Sequence, residues 1–498
     1  MENSFDVVII GSGLGGLECG LTLSKEGYNV CVVEQSALFG GCLQSFKRNG
    51  RVVDTGIHYI GSMDEGEIMH QYFKYYGILD ELNYIKLDHD FDQIHFGHEG
   101  SFNYQTGFSN FRESLIDHFP HQRGGIERYC EKLSKIGESI SVDIHRSGRF
   151  STGDIEPLSI SASGFIDECV SDQRLQNILA GTNALYGGMR EQSNLYHHSM
   201  VNYSNMQGAC RFVGGTQHVA DSFVNHIRAN GGVVRNRSRV ISIDMGTEGA
   251  TSVTLEGGER IFGRYFISDI HPDHTFDLVE QTPLVKRAYR SRLKLLPNTY
   301  SLFSVYLLMK RDSFPYINSN QYYYQREDAW DTMLDSESLR PKSVLMSSQL
   351  SHQESVYSDV ITLMTPVEYP LFERWRGLPI MQRGEEYEAL KGELNQNIIN
   401  FVAQFQPDLK SCIDKVYSAS PLTYESYTST PKGSAYGLLK DYRNAFVSLL
   451  PAKTRVPNLL LTGQNLNVHG ALGVTLTSAI TCSELLGVEY LAREIGNS

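Results

Sequence analysis

The sequence predicts an α/β fold in which a largely parallel sheet is assembled from three separated segments, with a mixed α+β domain inserted between them. The chain opens with a strand–helix–strand pattern containing three spaced glycines, and apolar strand patterns resume after about residue 212. It closes with an apolar strand and a helix, whereas the intervening stretches show helical spacing, many aromatic residues and irregular polar loops. We therefore expect a first domain from residues 1–75, 200–285 and 450–498 and a second domain from 76–199 and 286–449.

The first segment has the element order of a β-α-β unit. The apolar runs Val7–Ile10 and Val30–Val33 indicate two buried parallel strands. Helical spacing extends from Leu14 to about Glu26, and Gly27 is a natural C-terminal stop for that helix. Both strands and the helix therefore flank one glycine-rich turn.

That turn and the end of the second strand form a Rossmann-like dinucleotide fingerprint. Gly11 permits a tight turn, Gly13 lets the backbone approach a pyrophosphate, and Gly16 lets helix and strand pack closely. The N–H groups and positive dipole end of the helix would face the pyrophosphate. Glu34 lies about 20 residues on, where a carboxylate accepts hydrogen bonds from ribose hydroxyls. Because this acid would repel a 2′-phosphate, the sequence favours FAD or NAD over NADP; the alternative is an ordinary glycine turn.

Two further stretches follow in the same segment. Gly40 and Gly41, next to Cys42, would let backbone N–H groups approach a second part of an extended nucleotide, with an ordinary turn as the alternative. The stretch Asp54–Gly61 mixes glycines with polar and aromatic groups, as expected of a loop that lines a cofactor. Aromatic residues of the following insertion, Tyr72, Phe73, Tyr75 and Tyr76, are expected in the core.

The C-terminal segment indicates which dinucleotide binds. An apolar strand ends in Thr462-Gly463 and is expected to return to the first sheet, and a helix is expected from about Val474 to Leu486. Its N-terminus, after Gly470 and Gly473, could face the pyrimidine edge of a flavin. A nicotinamide cofactor does not need this returning unit, whereas the longer flavin dinucleotide does, so the sequence favours FAD. No second G-x-G-x-x-G occurs in a β-α-β context, which argues against a separate NADPH domain.

Composition excludes several other classes of protein. The net charge of −13 argues against a nucleic-acid partner. The eight cysteines are scattered without metal-ligand spacing, so we expect reduced thiols in a cytoplasmic protein and no metal site. The N-terminus leaves no room for a signal peptide, and no apolar run approaches the ~20 residues of a membrane-spanning helix.

With these motifs in place, the chain resembles the phytoene desaturase and carotenoid isomerase superfamily of FAD enzymes, most closely its retinol saturase branch. The most diagnostic stretches for the branch are Asp54–Gly61 and Leu461–Gln464. The chain departs from the family pattern at Asn465, where Asp is usual, and also at His469 and the 471–474 turn. The other matching stretches, in the order of the family, are Gly11–Gly16, Gly40–Cys42, Glu65-Gly66, Tyr186-Gly187, Gly214-Gly215, Ser420–Thr423, Gly433, Tyr436-Gly437 and Pro457–Leu459.

The resemblance implies an enzyme that acts on carbon–carbon double bonds of a long apolar polyene, using FAD and an external electron donor or acceptor. Saturation of one double bond is the leading expectation, by hydride transfer from reduced flavin plus a proton. A desaturase and a redox-neutral cis/trans isomerase are the alternatives among enzymes, and a non-catalytic flavin-containing carrier of apolar ligands is the alternative of another class. The motifs do not fit an amine oxidase. An apolar substrate also suggests that the mouth of its channel contacts a membrane peripherally.

Candidate site residues follow from the motifs and the resemblance. His58 and Tyr59 are the catalytic candidates, one of them positioning or protonating substrate, with a purely structural role in the flavin pocket as the alternative. Tyr186, His197 and Tyr436 are candidate substrate residues, with buried hydrogen-bonded roles as the alternative. Val240 would hydrogen-bond adenine through its backbone, as the matching valine does in related flavoproteins. The complete set of candidate FAD-binding residues is Gly11, Gly13, Leu14, Gly15, Gly16, Glu34, Gln35, Gly40, Gly41, Cys42, His58, Val240, Gly463, Gln464, Gly473 and Val474.

Overall fold

The computed structural model describes residues 3–97, 100–146 and 156–498 of the chain. Within these ranges, the strands are β1 (Ser4–Ile10), β2 (Val30–Val33), β3 (Ser45–Arg48), β4 (Arg51–Asp54), β5 (Tyr84–Lys86), β6 (Asp90–Phe96), β7 (Ser101–Gln105), β8 (Cys210–Phe212), β9 (Val233–Arg235), β10 (Val240–Met245), β11 (Ala250–Leu255), β12 (Arg260–Ser268), β13 (Ser301–Met309), β14 (Asn320–Tyr324), β15 (Ser343–Gln349), β16 (Val360–Val367), β17 (Ile413–Ala419) and β18 (Leu459–Leu461). The α-helices are α1 (Leu14–Lys25), α2 (Ile68–Tyr76), α3 (Phe108–His118), α4 (Arg123–Arg146), α5 (Ala162–Cys169), α6 (Gln173–Ala180), α7 (Leu195–Met206), α8 (Gln217–Ala229), α9 (Pro272–Leu278), α10 (Arg287–Lys294), α11 (Pro370–Glu373), α12 (Glu385–Val402), α13 (Leu409–Cys412), α14 (Pro421–Thr428), α15 (Ala445–Ser448), α16 (Gly470–Leu486) and α17 (Val488–Gly496).

The first sheet has the strand order β10-β11-β12-β1-β2-β9, and β18 also pairs with β12. The central strand β1 runs parallel to β2 and β12, and β18 runs parallel to β12. Apolar residues are buried on both faces of β1, which is why its sequence shows a continuous apolar run rather than alternation. The carboxyl ends of these four strands, at Ile10, Val33, Ser268 and Leu461, therefore meet at one edge of the sheet, where ligands of open α/β sheets bind.

The three predicted segments all contribute strands to this sheet, so the predicted discontinuous α/β fold is confirmed. Helix α1 begins at Leu14 and ends at Lys25, and Gly27 follows with a φ of +82°. The prediction for α16 is corrected, because that helix begins at Gly470 rather than near Val474. A β-carbon on Gly473 would lie 2.5 Å from the carbonyl carbon of Val468, so this glycine lets the first helical turn fold back on the preceding loop.

The second sheet has the strand order β17-β13-β16-β15-β14-β6-β7. It combines strands from both predicted insertions, since β6 and β7 lie between residues 90 and 105 whereas the other five follow residue 300. The exact domain boundaries remain a prediction. The aromatic residues of α2 are buried as predicted, and the ring of Tyr76 lies 5.2 Å from that of Phe223 on α8.

Among the helices of the described ranges, none is long and apolar enough to cross a bilayer.

Candidate cofactor and substrate site

Two adjoining cavities lie at the carboxyl edge of the first sheet. The glycine-loop cavity, of about 490 Å³, is bounded by the turn after β1, the end of β2, the Gly40–Gln44 segment, and residues following β12 and β18. The tyrosine cavity, of about 170 Å³, is bounded by the 56–61 loop, the tyrosines of β14, and the start of α16. Residues that line both cavities form their junction: Gly56, Ile57, Tyr436, Gly470 and Ala471.

The glycine turn follows closely the geometry expected of a dinucleotide loop. Gly11 has a φ of +98°, a conformation that residues with a β-carbon rarely adopt. A β-carbon on Gly16 would lie 2.2 Å from the carbonyl oxygen of Gly11, so α1 can start this close to β1 only with glycine there. Gly13 caps α1 without any side-chain hydrogen bond, and the first turn of the helix carries no acidic residue. The first turn of α1 therefore contributes no carboxylate of its own that would compete for its N–H groups.

Glu34 connects the two glycine turns. Its Oε2 accepts hydrogen bonds from the backbone N–H and the hydroxyl of Ser12, at 3.0 and 2.7 Å. Its Oε1 accepts from the backbone N–H of Ser36 at 2.8 Å, and the N–H of Gly40 donates to the carbonyl of Ser12. Glu34 also lines the cavity, where its carboxylate is an acceptor for hydroxyl groups.

Asp269 is a second strand-end acid, which the sequence analysis missed. It follows β12, is half-buried at the wall of the glycine-loop cavity, and accepts hydrogen bonds from the backbone N–H groups of Gly13 and Gly16. Burial raises the pKa of this carboxyl to about 7. The available signal was its position one residue beyond a strand that runs parallel to β1, as Glu34 is beyond β2.

The cavity fits FAD, because the backbone of the glycine turn lines it at the start of α1, where a pyrophosphate binds, and the acceptor at Glu34 suits ribose. A β-carbon on Gly13 or Gly15 would lie 2.5 or 2.8 Å from the carboxylate of Asp269, so this loop requires glycine. The predicted FAD-binding residues that line the glycine-loop cavity are Gly11, Gly13, Leu14, Gly15, Glu34, Gln35, Gly40, Gly41, Cys42, Val240, Gln464 and Val474.

Four predicted FAD-binding residues lie outside the lining of the glycine-loop cavity, and their role in FAD binding stays a prediction. Gly16 and Gly463 do not line either cavity, because Gly16 packs on Gly11 and Gly463 packs on the carboxylate of Asp269. His58 and Gly473 line the tyrosine cavity instead of the glycine-loop cavity.

The tyrosine cavity is apolar and uncharged. Among the described residues that line it there is no Asp, Glu, Lys or Arg. Its walls combine aliphatic side chains such as Leu345 and Met364 with the tyrosines of β14, and Tyr59 also lines it. A neutral, apolar molecule suits this lining, whereas a charged one would lose its hydration without a partner.

His58 and His469 each bring a buried ring nitrogen without a hydrogen-bond partner to the tyrosine cavity. These atoms are Nε2 of His58 and Nδ1 of His469. Burial lowers the pKa of His58 to about 4, with a contribution from Arg211, and that of His469 to about 3. Both rings are therefore neutral at neutral pH. The ring of His469 lies 4.6 Å from that of Tyr436.

The structure brings Tyr59 together with two groups of the second sheet. Its hydroxyl lies 2.7 Å from the hydroxyl of Tyr322 and donates to Oδ2 of Asp92 at 3.1 Å. Tyr322 and Asp92 were not predicted as site residues, since they lie 230 positions apart on β14 and β6 and meet only through strand pairing.

Two of the three predicted substrate residues bond to neighbouring side chains, which agrees with the alternative of a buried hydrogen-bonded role. The hydroxyl of Tyr186 is bonded to Nδ1 of His198 at 2.9 Å, and Nδ1 of His197 is bonded to Oδ1 of Asn194 at 2.8 Å. Neither Tyr186 nor His197 lines the tyrosine cavity or the glycine-loop cavity, because both side chains are buried among helix partners. Tyr436, in contrast, lines both cavities.

In the part of the chain that the structure describes, no group of three or more His, Cys, Asp or Glu is arranged to hold a metal ion.

Comparison with known proteins identifies relatives of the whole chain. The profile of a family described as flavin containing amine oxidoreductase matches residues 14–481. An all-trans-retinol 13,14-reductase of Rattus norvegicus is 27% identical over 538 aligned positions, covering 98% of this chain and 86% of the rat protein. A chloroplastic prolycopene isomerase of Arabidopsis thaliana is 23% identical over 462 positions, covering 88% of this chain and 74% of that protein.

A solved structure of a putrescine oxidase triple mutant superposes with a TM-score of 0.64 at 15% identity, covering 97% of this chain and 99% of the other. At this identity the likeness concerns the fold alone. It confirms the predicted fold class, and the family match confirms the predicted FAD cofactor.

Proposed function

This chain belongs to the flavin-containing amine oxidoreductase family, and from that premise we propose that it is an FAD-dependent oxidoreductase that saturates one carbon–carbon double bond of a long apolar polyene. The observation that carries this proposal is the uncharged lining of the tyrosine cavity, next to the cavity that fits FAD. The retinol reductase and prolycopene isomerase relatives support a retinoid-like or carotenoid-like substrate.

The same lining argues against an amine substrate. A protonated amine would need a carboxylate partner in a buried site. The described residues around the tyrosine cavity supply tyrosine hydroxyls and neutral imidazoles, but no carboxylate. A hydrocarbon chain, by contrast, gains free energy when its surface leaves water for these aliphatic and aromatic walls.

Different residues of the tyrosine cavity bind the substrate and supply the proton. When bound, reduced FAD supplies a hydride for one carbon of the double bond. The apolar walls orient the substrate and exclude water from the junction of the two cavities. The hydroxyl of Tyr59, held by Tyr322 and Asp92, is positioned to give a proton to the second carbon. Neutral His58 orients the substrate or the flavin, since burial keeps its pKa at about 4.

A peripheral membrane contact belongs to this proposal, because a long polyene is stored in lipid. Leu295, Phe446 and Val447 are 81%, 59% and 47% exposed, and Arg292 of the basic helix α10 donates to the carbonyl of Val447. Exposed apolar side chains beside a cluster of cations are typical of surfaces that bind anionic lipid. Co-sedimentation with anionic vesicles should fall in Leu295→Asp/Phe446→Asp and persist in Met381→Asp, which replaces an equally exposed apolar residue away from α10.

An anaerobic single-turnover experiment tests the catalytic proposal. The FAD-loaded protein is photoreduced, mixed with all-trans-retinol or a carotenoid precursor, and its products are analysed by mass spectrometry. A product heavier by two hydrogens, with reoxidation of the flavin, supports saturation. An isomer of unchanged mass would favour the isomerase, which the prolycopene isomerase relative makes the second candidate. Bound flavin that no polyene reoxidises would favour the carrier.

A further inference from the structure

We propose that Asp92 is the proton store of this site, which returns a proton to Tyr59 after Tyr59 has protonated the substrate. This inference rests on the proposed function and adds to it a residue that the tyrosine cavity does not expose. The argument depends on strand register, on the hydrogen bonds of Asp92, and on the charges that surround it.

Strand pairing brings together the hydrogen-bond network of Asp92, Tyr59 and Tyr322. Strands β6 and β14 run parallel, with Asp92 opposite Asn320. Tyr322 lies two residues beyond Asn320 and so on the same face of the sheet. The amide of Asn320 donates to Oδ1 of Asp92 at 2.8 Å, while Tyr322 and Tyr59 both contact Oδ2, at 3.4 and 3.1 Å.

Tyr59 and Tyr322 separate Asp92 from the substrate space. Both tyrosines line the tyrosine cavity, whereas Asp92 is fully buried and lines neither cavity. Because the two hydroxyls lie 2.7 Å apart and both reach Oδ2, a proton on Asp92 can reach the cavity only through a tyrosine oxygen. Asp92 is therefore a positioning and proton-storing residue, and Tyr59 is the group that touches the substrate.

The surroundings of Asp92 favour its protonated form. The nearest cation, Arg211, donates to Oδ1 of Asn320 at 2.7 Å rather than to Asp92, and its charge opposes protonation only as a minor effect. Burial dominates and raises the pKa of Asp92 to about 7. The other titratable groups that face Asp92 are the tyrosines 59, 104 and 322, whose pKa values burial raises well above their ordinary value. Hydrogen bonds from Asn320, Tyr59 and Tyr322 favour the carboxylate, but burial outweighs them, so Asp92 is partly protonated at neutral pH.

In the saturation step, every proton and electron pair that is transferred has a source and a destination. The π electrons of the double bond form a new C–H bond with the proton of the Tyr59 hydroxyl, while the neighbouring carbon receives the hydride that reduced flavin supplies. When Asp92 is protonated, its carboxyl donates to the Tyr59 oxygen, which leaves the Tyr59 O–H for the substrate. That O–H bond breaks as the carboxyl proton passes to the Tyr59 oxygen. Asp92 is left as a carboxylate and regains its proton from solvent through the tyrosine hydroxyls between turnovers, and an external electron donor restores the reduced flavin.

The first test does not depend on turnover. Infrared difference spectra of the FAD-loaded protein are recorded across pH, and the carbonyl stretch of a protonated carboxylic acid is followed. Because Asp269 also has a pKa of about 7, we expect more than one band to titrate near pH 7. The band of Asp92 should be absent in Asp92→Asn and persist in Asp90→Asn, the matched control on the same strand. Asp90 bonds only to side chains of β7, so its loss leaves the network intact. If the spectra of Asp92→Asn keep every carboxylic-acid band of the wild type, the proposal is wrong. This outcome does not depend on which substrate the protein uses.

The second test is kinetic. Asp92→Asn preserves the shape of the residue, and its flavin absorbance and melting temperature report whether the variant folds. Turnover should fall about 10- to 100-fold, and the fall in wild-type turnover above about pH 7 should disappear. Full turnover with an unchanged pH profile in Asp92→Asn would overturn the role of Asp92 while leaving the proposed function standing. Failure of the wild type to act on any polyene would instead overturn the proposed function.

Discussion

A β-carbon added to Gly13 would lie 2.5 Å from Oδ2 of Asp269, so the close contact between the glycine turn and this carboxylate requires glycine at position 13. The same carboxylate accepts hydrogen bonds from the N–H groups of Gly13 and Gly16. These two bonds fix the backbone conformation of the loop. The loop therefore presents its remaining N–H groups to the nucleotide in a rigid arrangement, and Asp269 acts on FAD binding through the backbone.

Asp269→Ala should weaken FAD binding while the protein remains folded. It removes the acceptor for two backbone N–H groups, and charged hydrogen bonds of this kind contribute about 1.5–3 kcal/mol, so we expect the Kd for FAD to rise about 10- to 100-fold. Titration of the apoprotein by flavin fluorescence quenching measures this change. Asp273→Asn, a nearby partly buried acid on α9, is the control and should bind FAD normally. Equal affinity in Asp269→Ala would show that the loop keeps its shape without the carboxylate.

Glu18→Gln should change how stability depends on pH. Glu18 is fully buried on α1 and accepts hydrogen bonds from Thr475 and Ser478 of α16, at 2.6 and 2.8 Å. Burial raises its pKa to about 8, above the ordinary 4.5. The folded state thus binds a proton that the unfolded state releases, so stability is full below about pH 4.5 and falls as pH rises toward 8.

A glutamine mimics the protonated acid at every pH, so it should not show this fall. Between pH 4.5 and 8, the free energy of unfolding of the variant should rise relative to that of wild type by up to roughly 4–5 kcal/mol. Urea unfolding of the apoprotein at both pH values measures this difference. Glu489→Gln on α17 replaces an exposed acid and should follow the wild-type curve. Parallel curves for wild type and Glu18→Gln would contradict a protonated Glu18.

His58→Ala should affect substrate positioning rather than proton supply. Since the pKa of His58 is lowered to about 4, its ring is neutral above about pH 5 and loses no charge on substitution. We expect normal flavin content, a KM about tenfold higher from the lost contact, and an unchanged pH profile of turnover. A variant with bound flavin and full wild-type kinetics would remove His58 from the site's function.

Tyr59→Phe should stop proton transfer without emptying the flavin site. The substitution removes the hydroxyl that bonds to Tyr322 and Asp92 and leaves the ring packing in place. Turnover should drop about 100-fold or more, with flavin absorbance and melting temperature near those of wild type. Tyr323→Phe is the matched control, because the hydroxyl of Tyr323 bonds to Gln406 instead of this network. If Tyr59→Phe still yields the product heavier by two hydrogens at the wild-type rate, the proton comes from elsewhere.

The β-α-β unit could be derived from sequence because its signals are local. The spacing of Gly11, Gly13 and Gly16, the apolar runs of β1 and β2, and the position of Glu34 all report conformations formed within 30 residues of chain. The late start predicted for α16 also has a local cause. From sequence alone, a glycine in the first turn of a helix looks the same as a glycine in the loop before the helix. Packing of Gly473 on Val468 distinguishes the two cases, and only the folded chain shows it.

By itself, the sequence determined the fold class, the dinucleotide loop, the FAD cofactor and the family resemblance, since each depends on residue types at short spacings. The tertiary structure alone decided that Asp269 supports the glycine turn, that Tyr59 meets Tyr322 and Asp92, and that Tyr186 and His197 bond to neighbours instead of lining a cavity. The physical reason is that these contacts join residues far apart in the chain. Their distances follow from strand register and helix packing across both sheets, which no pattern of nearby residues encodes.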